Sequence, residues 1–65
     1  MHPRKIALQE LLAAGYSLKR QGGNHEIYYN PQTQSIIPLK RHDFNDNDLK
    51  NLRRQIRQKE QGKGS

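Results

Sequence analysis

A pair of glycines between two short alternating segments constrains the fold of this chain more than any other feature. Gly22 and Gly23 separate the segments 16–21 and 25–29, in which apolar and polar residues alternate. Glycine reaches the positive φ angles that tight hairpin turns require, so the pattern predicts an antiparallel hairpin with the two glycines in its turn. The turn then fixes His25 as the first residue of the second strand.

The alternation in the second strand assigns its side chains to two faces of a sheet. With a period of two, His25, Ile27 and Tyr29 share one face. Glu26 and Tyr28 share the other face. If Ile27 faces the core, His25 has to lie at the rim of the sheet to reach solvent. The sequence alone leaves this choice of face open.

The segment before the hairpin predicts a helix from residue 4 to residue 14. Pro3 is tolerated at the start of a helix because its missing N–H would be unpaired there anyway. Gly15 can adopt the left-handed conformation that ends a helix. The apolar stripe predicted for this helix consists of Ala7, Leu8, Leu11 and Leu12.

A third strand and a second helix complete the predicted fold. Pro38 lies in the strand 35–39 and cannot donate a ladder hydrogen bond, so this strand is expected at a sheet edge. The amides and acids of residues 45–48 predict the start of the last helix. Its apolar stripe consists of Leu49, Leu52 and Ile56. The order α-β-β-β-α predicts an α+β fold, a three-stranded antiparallel meander with two helices on one face.

Size and charge limit the classes of function. The chain has 65 residues, no cysteine and a formal net charge of +6, which predicts one small domain with a polyanionic partner, nucleic acid first and an acidic protein second. Residues 1–58 are predicted to form the domain and residues 59–65 a polar, disordered tail. No apolar run approaches the roughly 20 residues that span a bilayer. A soluble cytoplasmic protein is therefore expected.

Several motifs follow one another along the chain in a characteristic order. They are Gly15-Tyr16, Arg20-Gln21-Gly22-Gly23-Asn24-His25-Glu26-Ile27-Tyr28, Ile37-Pro38, Arg41-His42 and a basic helix over residues 49–58. This series closely resembles the HicA family of bacterial toxins, also called YcfA-like, over about residues 6–58. Asn24 departs from the family pattern, which usually has Ser at this position.

The resemblance implies a double-stranded-RNA-binding-domain-like fold and a metal-independent endoribonuclease. Such an enzyme, an mRNA interferase, cleaves mRNA and thereby inhibits translation and growth. The resemblance also implies that His25 is catalytic and that no cofactor is required. It further implies a cognate HicB antitoxin that binds and inhibits the toxin, so that the two form a hetero-oligomer.

Histidine suits the cleavage of RNA without a metal ion. The 2′-hydroxyl of the substrate can be the nucleophile, and the protein then has to move protons and stabilise charge on the phosphorane. Histidine can transfer protons near neutral pH because its unperturbed pKa is about 6.5. We therefore predict that His25 is a general acid or base. The residues predicted to bind RNA are Lys19, Arg20, Gly22, Gly23, Asn24, Tyr28, Lys40, Arg41 and His42.

For some of these residues, the sequence leaves two interpretations open. His42 is either a second proton-transfer group or a solvated loop residue. Tyr28 and Tyr29 can stack on bases, but they occupy opposite faces, so at least one of them is expected to be ordinary packing. The last helix carries cations that either follow an RNA backbone or meet an acidic antitoxin: Arg53, Arg54 and Arg57.

Two other functions compete with the ribonuclease. A non-catalytic RNA-binding module would use the same basic surface without chemistry. A DNA-binding regulator is disfavoured because the sequence has no helix-turn-helix pattern. The three histidines lie far apart, without cysteines or a His-x-x-x-His spacing, so no metal site is predicted.

Overall fold

The computed structural model describes residues 2–63, with side chains for residues 2–60. Two helices flank three strands along the chain. The elements are α1 (Pro3–Ala13), β1 (Ser17–Gly22), β2 (His25–Asn30), β3 (Ser35–Lys40) and α2 (Asp46–Lys63). The strands are antiparallel and lie in the order β1-β2-β3. The predicted α+β meander is confirmed, and β3, which contains Pro38, is an edge strand.

The core lies between one face of the sheet and the two helices. Tyr28 of β2 is buried opposite Ile37 of β3, which is fully buried. The core face of β2 is therefore the face of Glu26 and Tyr28. His25 alternates to the other face, but as the first residue of β2 it lies at the end of the sheet and also borders a groove beside α2. The buried apolar residues are Ala7, Leu11, Tyr16, Tyr28, Ile37, Leu39, Leu49 and Leu52.

The apolar stripe of α1 is narrower than the sequence predicts. Ala7 and Leu11 are fully buried and Leu8 is half-buried, whereas Leu12 is 61% exposed. The line through Ala7 and Leu11 faces the core, and Ile6 and Leu8 pack against it on its two flanks, whereas Leu12 does not.

Gly15 ends α1 in a Schellman motif. The N–H of Tyr16 donates to the carbonyl of Leu11 at 2.9 Å, and the N–H of Gly15 donates to the carbonyl of Leu12 at 3.1 Å. The φ angle of Gly15 is +98°, which is the left-handed conformation that this motif needs. Tyr16 and Leu11 are both buried, so the motif also provides the apolar contact that usually accompanies it.

Asn30 joins the end of α1 to the sheet. Asn30 is the last residue of β2 and only 2% exposed. Its Nδ2 donates to the carbonyl of Ala14 at 3.0 Å, and its Oδ1 accepts the N–H of Gln32 at 2.9 Å. Both ends of this buried amide are thus satisfied, as burial requires.

We expect Gly15→Ala to destabilise the domain, whereas Gly23→Ala should not. A side chain in the left-handed conformation costs about 1–2 kcal/mol, and a Cβ at Gly15 would also lie 3.3 Å from Nδ2 of Asn30. A Cβ at Gly23 meets nothing within 4 Å, so its effect should stay within about 0.5 kcal/mol. Urea unfolding of the two variants checks this, and equal losses would contradict it.

The hairpin turn consists of Gly23 and Asn24 rather than of the two glycines. Gly22 is the last residue of β1 and pairs with His25. Among residues 2–63, left-handed φ angles occur at Gly15, Gln34 and Asp43. The prediction that Gly22 and Gly23 supply positive φ angles to the turn is therefore wrong, although the hairpin itself is confirmed.

α2 begins with a capping box. Oδ1 of Asn45 accepts the N–H of Asp48 at 3.1 Å, and the Asp48 carboxylate accepts the N–H of Asn45 at 3.0 Å. Phe44 precedes the cap and packs against the core that contains Leu49, in the positions of a hydrophobic staple. The cluster of capping residues predicted at 45–48 thus starts the helix.

α2 continues to Lys63, beyond the predicted end of the domain at residue 58. The side chains of residues 57–60 are exposed, so they add nothing to the core. The division at residue 58 stays a prediction, and residues 64–65 lie outside the described residues. Neither helix within 2–63 is both long and apolar enough to cross a membrane.

Candidate functional site

His25 lies exposed at the first position of β2. It pairs with Gly22 of β1 and with Lys40 of β3, so it sits in the middle strand at one end of the sheet. Within residues 2–60 its imidazole has neither a hydrogen-bond partner nor an ion-pair partner. The ring is therefore accessible to a ligand.

A shallow cavity of ≈ 410 Å³ brings His25 and His42 together. The two histidines are far apart in the sequence, and the end of β3 and the following loop bring them to one place. The other lining residues are Asn24, Lys40 and Asp43. Two imidazoles on one cavity can serve the two proton transfers of an acid–base reaction.

Arg41 holds the loop of His42 against the hairpin turn. Its N–H donates to the carbonyl of Asn24 at 3.0 Å. Its guanidinium also reaches the carbonyl of Gly23 at 3.5 Å. These contacts place the loop after β3 beside the turn before β2, so the cavity is formed by the fold and not by neighbours in sequence.

Lys40 is less available than the sequence suggests. Its ammonium donates to Oδ2 of Asp48 at 3.2 Å and to the carbonyl of Asp43 at 3.3 Å. The backbone N–H of Asn45, and then Lys40, lower the pKa of the Asp48 carboxyl. Lys40 therefore lies beside His25 with its charge partly neutralised.

A bulge in β1 turns two consecutive cations to the open face of the sheet. The register shifts between Leu18 and Arg20 and leaves Lys19 unpaired in the ladder. Nζ of Lys19 lies 4.9 Å from the centre of the Tyr29 ring. Lys19 and Arg20 also line one depression with Ile27. In a regular strand, neighbouring residues would face opposite sides of the sheet.

The bulge brings Arg20 near His25. Arg20 pairs with Ile27, two residues along β2 from His25, which makes Arg20 and His25 diagonal neighbours. Such positions lie about 7–8 Å apart, within reach of a long side chain. Arg20 is exposed and has no partner among the residues with described side chains.

Tyr28 is a core residue, and Tyr29 lies on the open face. Tyr28 is 6% exposed, and its hydroxyl donates to Oε1 of Glu26 at 3.1 Å. Stacking of Tyr28 on a base, as predicted from the sequence, does not fit this placement. The half-buried ring of Tyr29 is the one that remains accessible to a base.

Arg4 ties α1 to the strands beside the site, a contact that sequence reasoning missed. Its guanidinium forms an ion pair with Glu26, and its Nε donates to the carbonyl of Lys40 at 2.9 Å. Burial acts to raise the pKa of the Glu26 carboxyl, but hydrogen bonds from Arg4 and Tyr28 outweigh it, and the pKa lies below its ordinary value of 4.5. Nothing in the spacing of residues 4 and 26 indicates this pair.

We expect the ion pair of Arg4 and Glu26 to stabilise the domain at neutral pH and to be lost in acid. The pKa of Glu26 is lowered by folding, so its contribution is present above the unfolded value and disappears as the pH falls through the folded one. Glu26→Gln should therefore cost about 1–3 kcal/mol at neutral pH. Urea unfolding at neutral pH and at a pH well below 4.5 should show this cost shrinking in acid.

The matched control for Glu26→Gln is Glu60→Gln. Glu60 is an exposed carboxylate of α2 without a partner among the described side chains. Its replacement should leave the free energy of unfolding within about 0.5 kcal/mol at both pH values. A cost of Glu26→Gln that does not change with pH would contradict the assignment.

The cations of α2 fall into two groups. Arg53 donates to both carboxylate oxygens of Glu10, from Nε at 3.0 Å to Oε1 and 2.8 Å to Oε2 and from Nη2 at 2.6 Å to Oε2, and so joins the two helices. Other cations of α2 are exposed and unpaired within residues 2–60: Lys50, Arg54, Arg57 and Lys59. Helical spacing puts Lys50, Arg54 and Arg57 on the side of α2 away from His25, whereas Lys59 does not share that side.

The fold and the site define a class of protein, a small cationic α+β domain with an exposed histidine at one end of its sheet. The model of the family described as HicA toxin of bacterial toxin-antitoxin matches residues 4–60. The match covers most of the chain, so the chain belongs to the HicA toxin family, and an antitoxin is its expected partner. Searches of curated proteins and of solved structures found no match.

Proposed function

We propose that this toxin is a metal-independent endoribonuclease that cleaves mRNA in the cytoplasm, with His25 as a general acid or base. The observation that supports this most is the exposed, unpartnered imidazole of His25 on one cavity with His42. A structural histidine would be expected to have a partner in the fold.

The proposed reaction needs two proton transfers. A base removes the proton of the 2′-hydroxyl as its oxygen attacks phosphorus, and an acid protonates the departing 5′-oxygen. The products are a 2′,3′-cyclic phosphate and a 5′-hydroxyl, and atoms and charge balance without a metal ion. His25 carries one transfer and His42 the other, because both line the same cavity.

The open side of the sheet supplies the proposed binding surface for RNA. Lys19 and Arg20 would contact phosphates, and Tyr29 would offer its ring to a base. The fold tolerates a Cβ at Gly22 and Gly23, since the nearest atom is 3.8 Å away in one case and nothing lies within 4 Å in the other. Glycine at these positions is therefore better explained by close approach of a ligand to the backbone.

The test is a cleavage assay on the purified full chain with single-stranded RNA in excess EDTA. We expect cleavage, with products that end in a 2′,3′-cyclic phosphate. Binding without cleavage would overturn the proposal and favour a non-catalytic RNA-binding module. We also propose that a HicB antitoxin inhibits the activity, and adding the product of an adjacent HicB-like reading frame should stop cleavage.

A further inference from the structure

A second groove leads away from His25 between β3 and α2. It has a volume of ≈ 230 Å³, and His25 and Lys40 belong both to its lining and to that of the cavity shared with His42. Leu39 and Leu52, which are 1% and 3% exposed, give the groove an apolar floor. The groove thus adjoins the proposed reaction centre and shares His25 and Lys40 with it.

Two unpartnered amides line this groove. Asn51 and Gln55 are four residues apart on α2, so they lie on the same side of the helix. Within residues 2–60 neither amide has a hydrogen-bond partner, whereas the amide of Asn30 is bonded at both ends. Asn51 and Gln55 therefore keep their donors and acceptors for a ligand.

The charge of the groove disfavours a phosphate. Lys40 and Asp48 both belong to the lining and form an ion pair at 3.2 Å, so their charges cancel. Phe44 is half-buried and lines the same groove, where its ring offers an apolar surface to a flat ligand. The lining thus combines an aromatic ring, free amides and no net charge.

We propose that this groove is a nucleobase subsite, in which Phe44 contacts the base and Asn51 and Gln55 bind its polar edge. Amide side chains pair well with base edges, and unpaired RNA is recognised by stacking together with such hydrogen bonds. The volume is below the roughly 300–1,000 Å³ of sites for drug-sized ligands, which suits a single base. The inference rests on the proposed function, because it places this base next to the phosphate at His25.

The binding test uses a ribodinucleotide with a 2′-deoxy group at the attacking position, which cannot be cleaved. In nuclear magnetic resonance spectra of the full chain, the side-chain NH₂ signals of Asn51 and Gln55 should shift on titration. Those of Asn47 and Gln58 should not, because these α2 residues are exposed and lie outside the groove. The shifts should also differ between ribodinucleotides that carry different bases. Unchanged Asn51 and Gln55 signals would overturn the subsite.

The cleavage test compares Asn51→Ala and Gln55→Ala with the matched controls Asn47→Ala and Gln58→Ala. On a pool of random RNA sequences, the first two should change the relative rates at different bases about tenfold or more. The controls should retain the wild-type preference. An unchanged preference in an active Asn51→Ala, Gln55→Ala double variant would overturn the subsite and leave the ribonuclease intact.

The two tests separate the subsite from the proposed function. Base-dependent shifts in a protein that does not cleave RNA would support the subsite and overturn the ribonuclease. Cleavage of RNA without shifts at Asn51 and Gln55 would support the ribonuclease and overturn the subsite.

Discussion

His25→Ala is expected to lower the rate of RNA cleavage by about 10²–10⁴-fold, the range over which general acid–base groups contribute. The variant should remain folded, because the imidazole is exposed and makes no contact that the fold requires. Gel-based cleavage rates in EDTA, together with thermal unfolding followed by circular dichroism, measure the two effects separately.

His2→Ala is the control for His25→Ala. His2 is also exposed, but it precedes α1 and belongs to neither cavity that His25 lines. Its replacement should leave the cleavage rate unchanged. A His25→Ala protein that cleaves RNA at the wild-type rate would disprove the assignment of His25.

Replacing each of the adjacent tyrosines with alanine should affect different properties, the stability of the fold for Tyr28 and RNA binding for Tyr29. Tyr28→Ala removes a buried ring and should cost about 3–5 kcal/mol, which is a large part of the stability of a domain of this size. Tyr29→Ala should leave the fold intact and weaken the binding of single-stranded RNA by about 1–3 kcal/mol. Urea unfolding and RNA titration should be carried out on both variants.

Tyr28→Phe separates the hydroxyl of Tyr28 from its ring. It removes the 3.1 Å hydrogen bond to Glu26 but keeps the buried ring, so it should cost only about 0.5–1.5 kcal/mol. Lys19→Gln tests whether RNA binding at Tyr29 depends on the cation above the ring. Loss of RNA binding in folded Tyr28→Phe with full binding in Tyr29→Ala would contradict the assignment of the two faces.

Local signals in the sequence were sufficient for the order of the elements. The left-handed glycine after α1, the capping residues before α2 and the proline of β3 each act within a few residues, and each lies where it was expected. Local signals did not determine which face of β2 is buried. It depends on Tyr28 packing with Ile37 of β3, and alternation alone gives two faces without saying which is buried.

The candidate site was predicted in part. His25 was singled out from its position after the hairpin, and its exposure agrees with a functional role. The proximity of His25 to His42 depends on the backbone hydrogen bond between Arg41 and Asn24. This bond joins two loops, and residue spacing in the sequence does not indicate it. The bulge at Lys19 was missed for a similar reason, since register is set by the paired strand.

Asn51 and Gln55 could have been found from the sequence. They lie four residues apart and flank the apolar stripe that includes Leu52, so helical spacing alone places them near the sheet. The signal was overlooked because the cations of the same helix drew the functional interpretation. What the sequence could not supply was the groove, which needs β3 beside α2.

The two ends of β2 tolerate change very differently. At Asn30, a buried amide and a left-handed glycine lock α1 to the sheet, whereas about 16 Å away at His25 the turn accepts added atoms without collision. Under the proposed function, substitutions around Gly23 are expected to silence the toxin without unfolding it. A cell under pressure to inactivate such a protein would then have many routes to an inert but folded form.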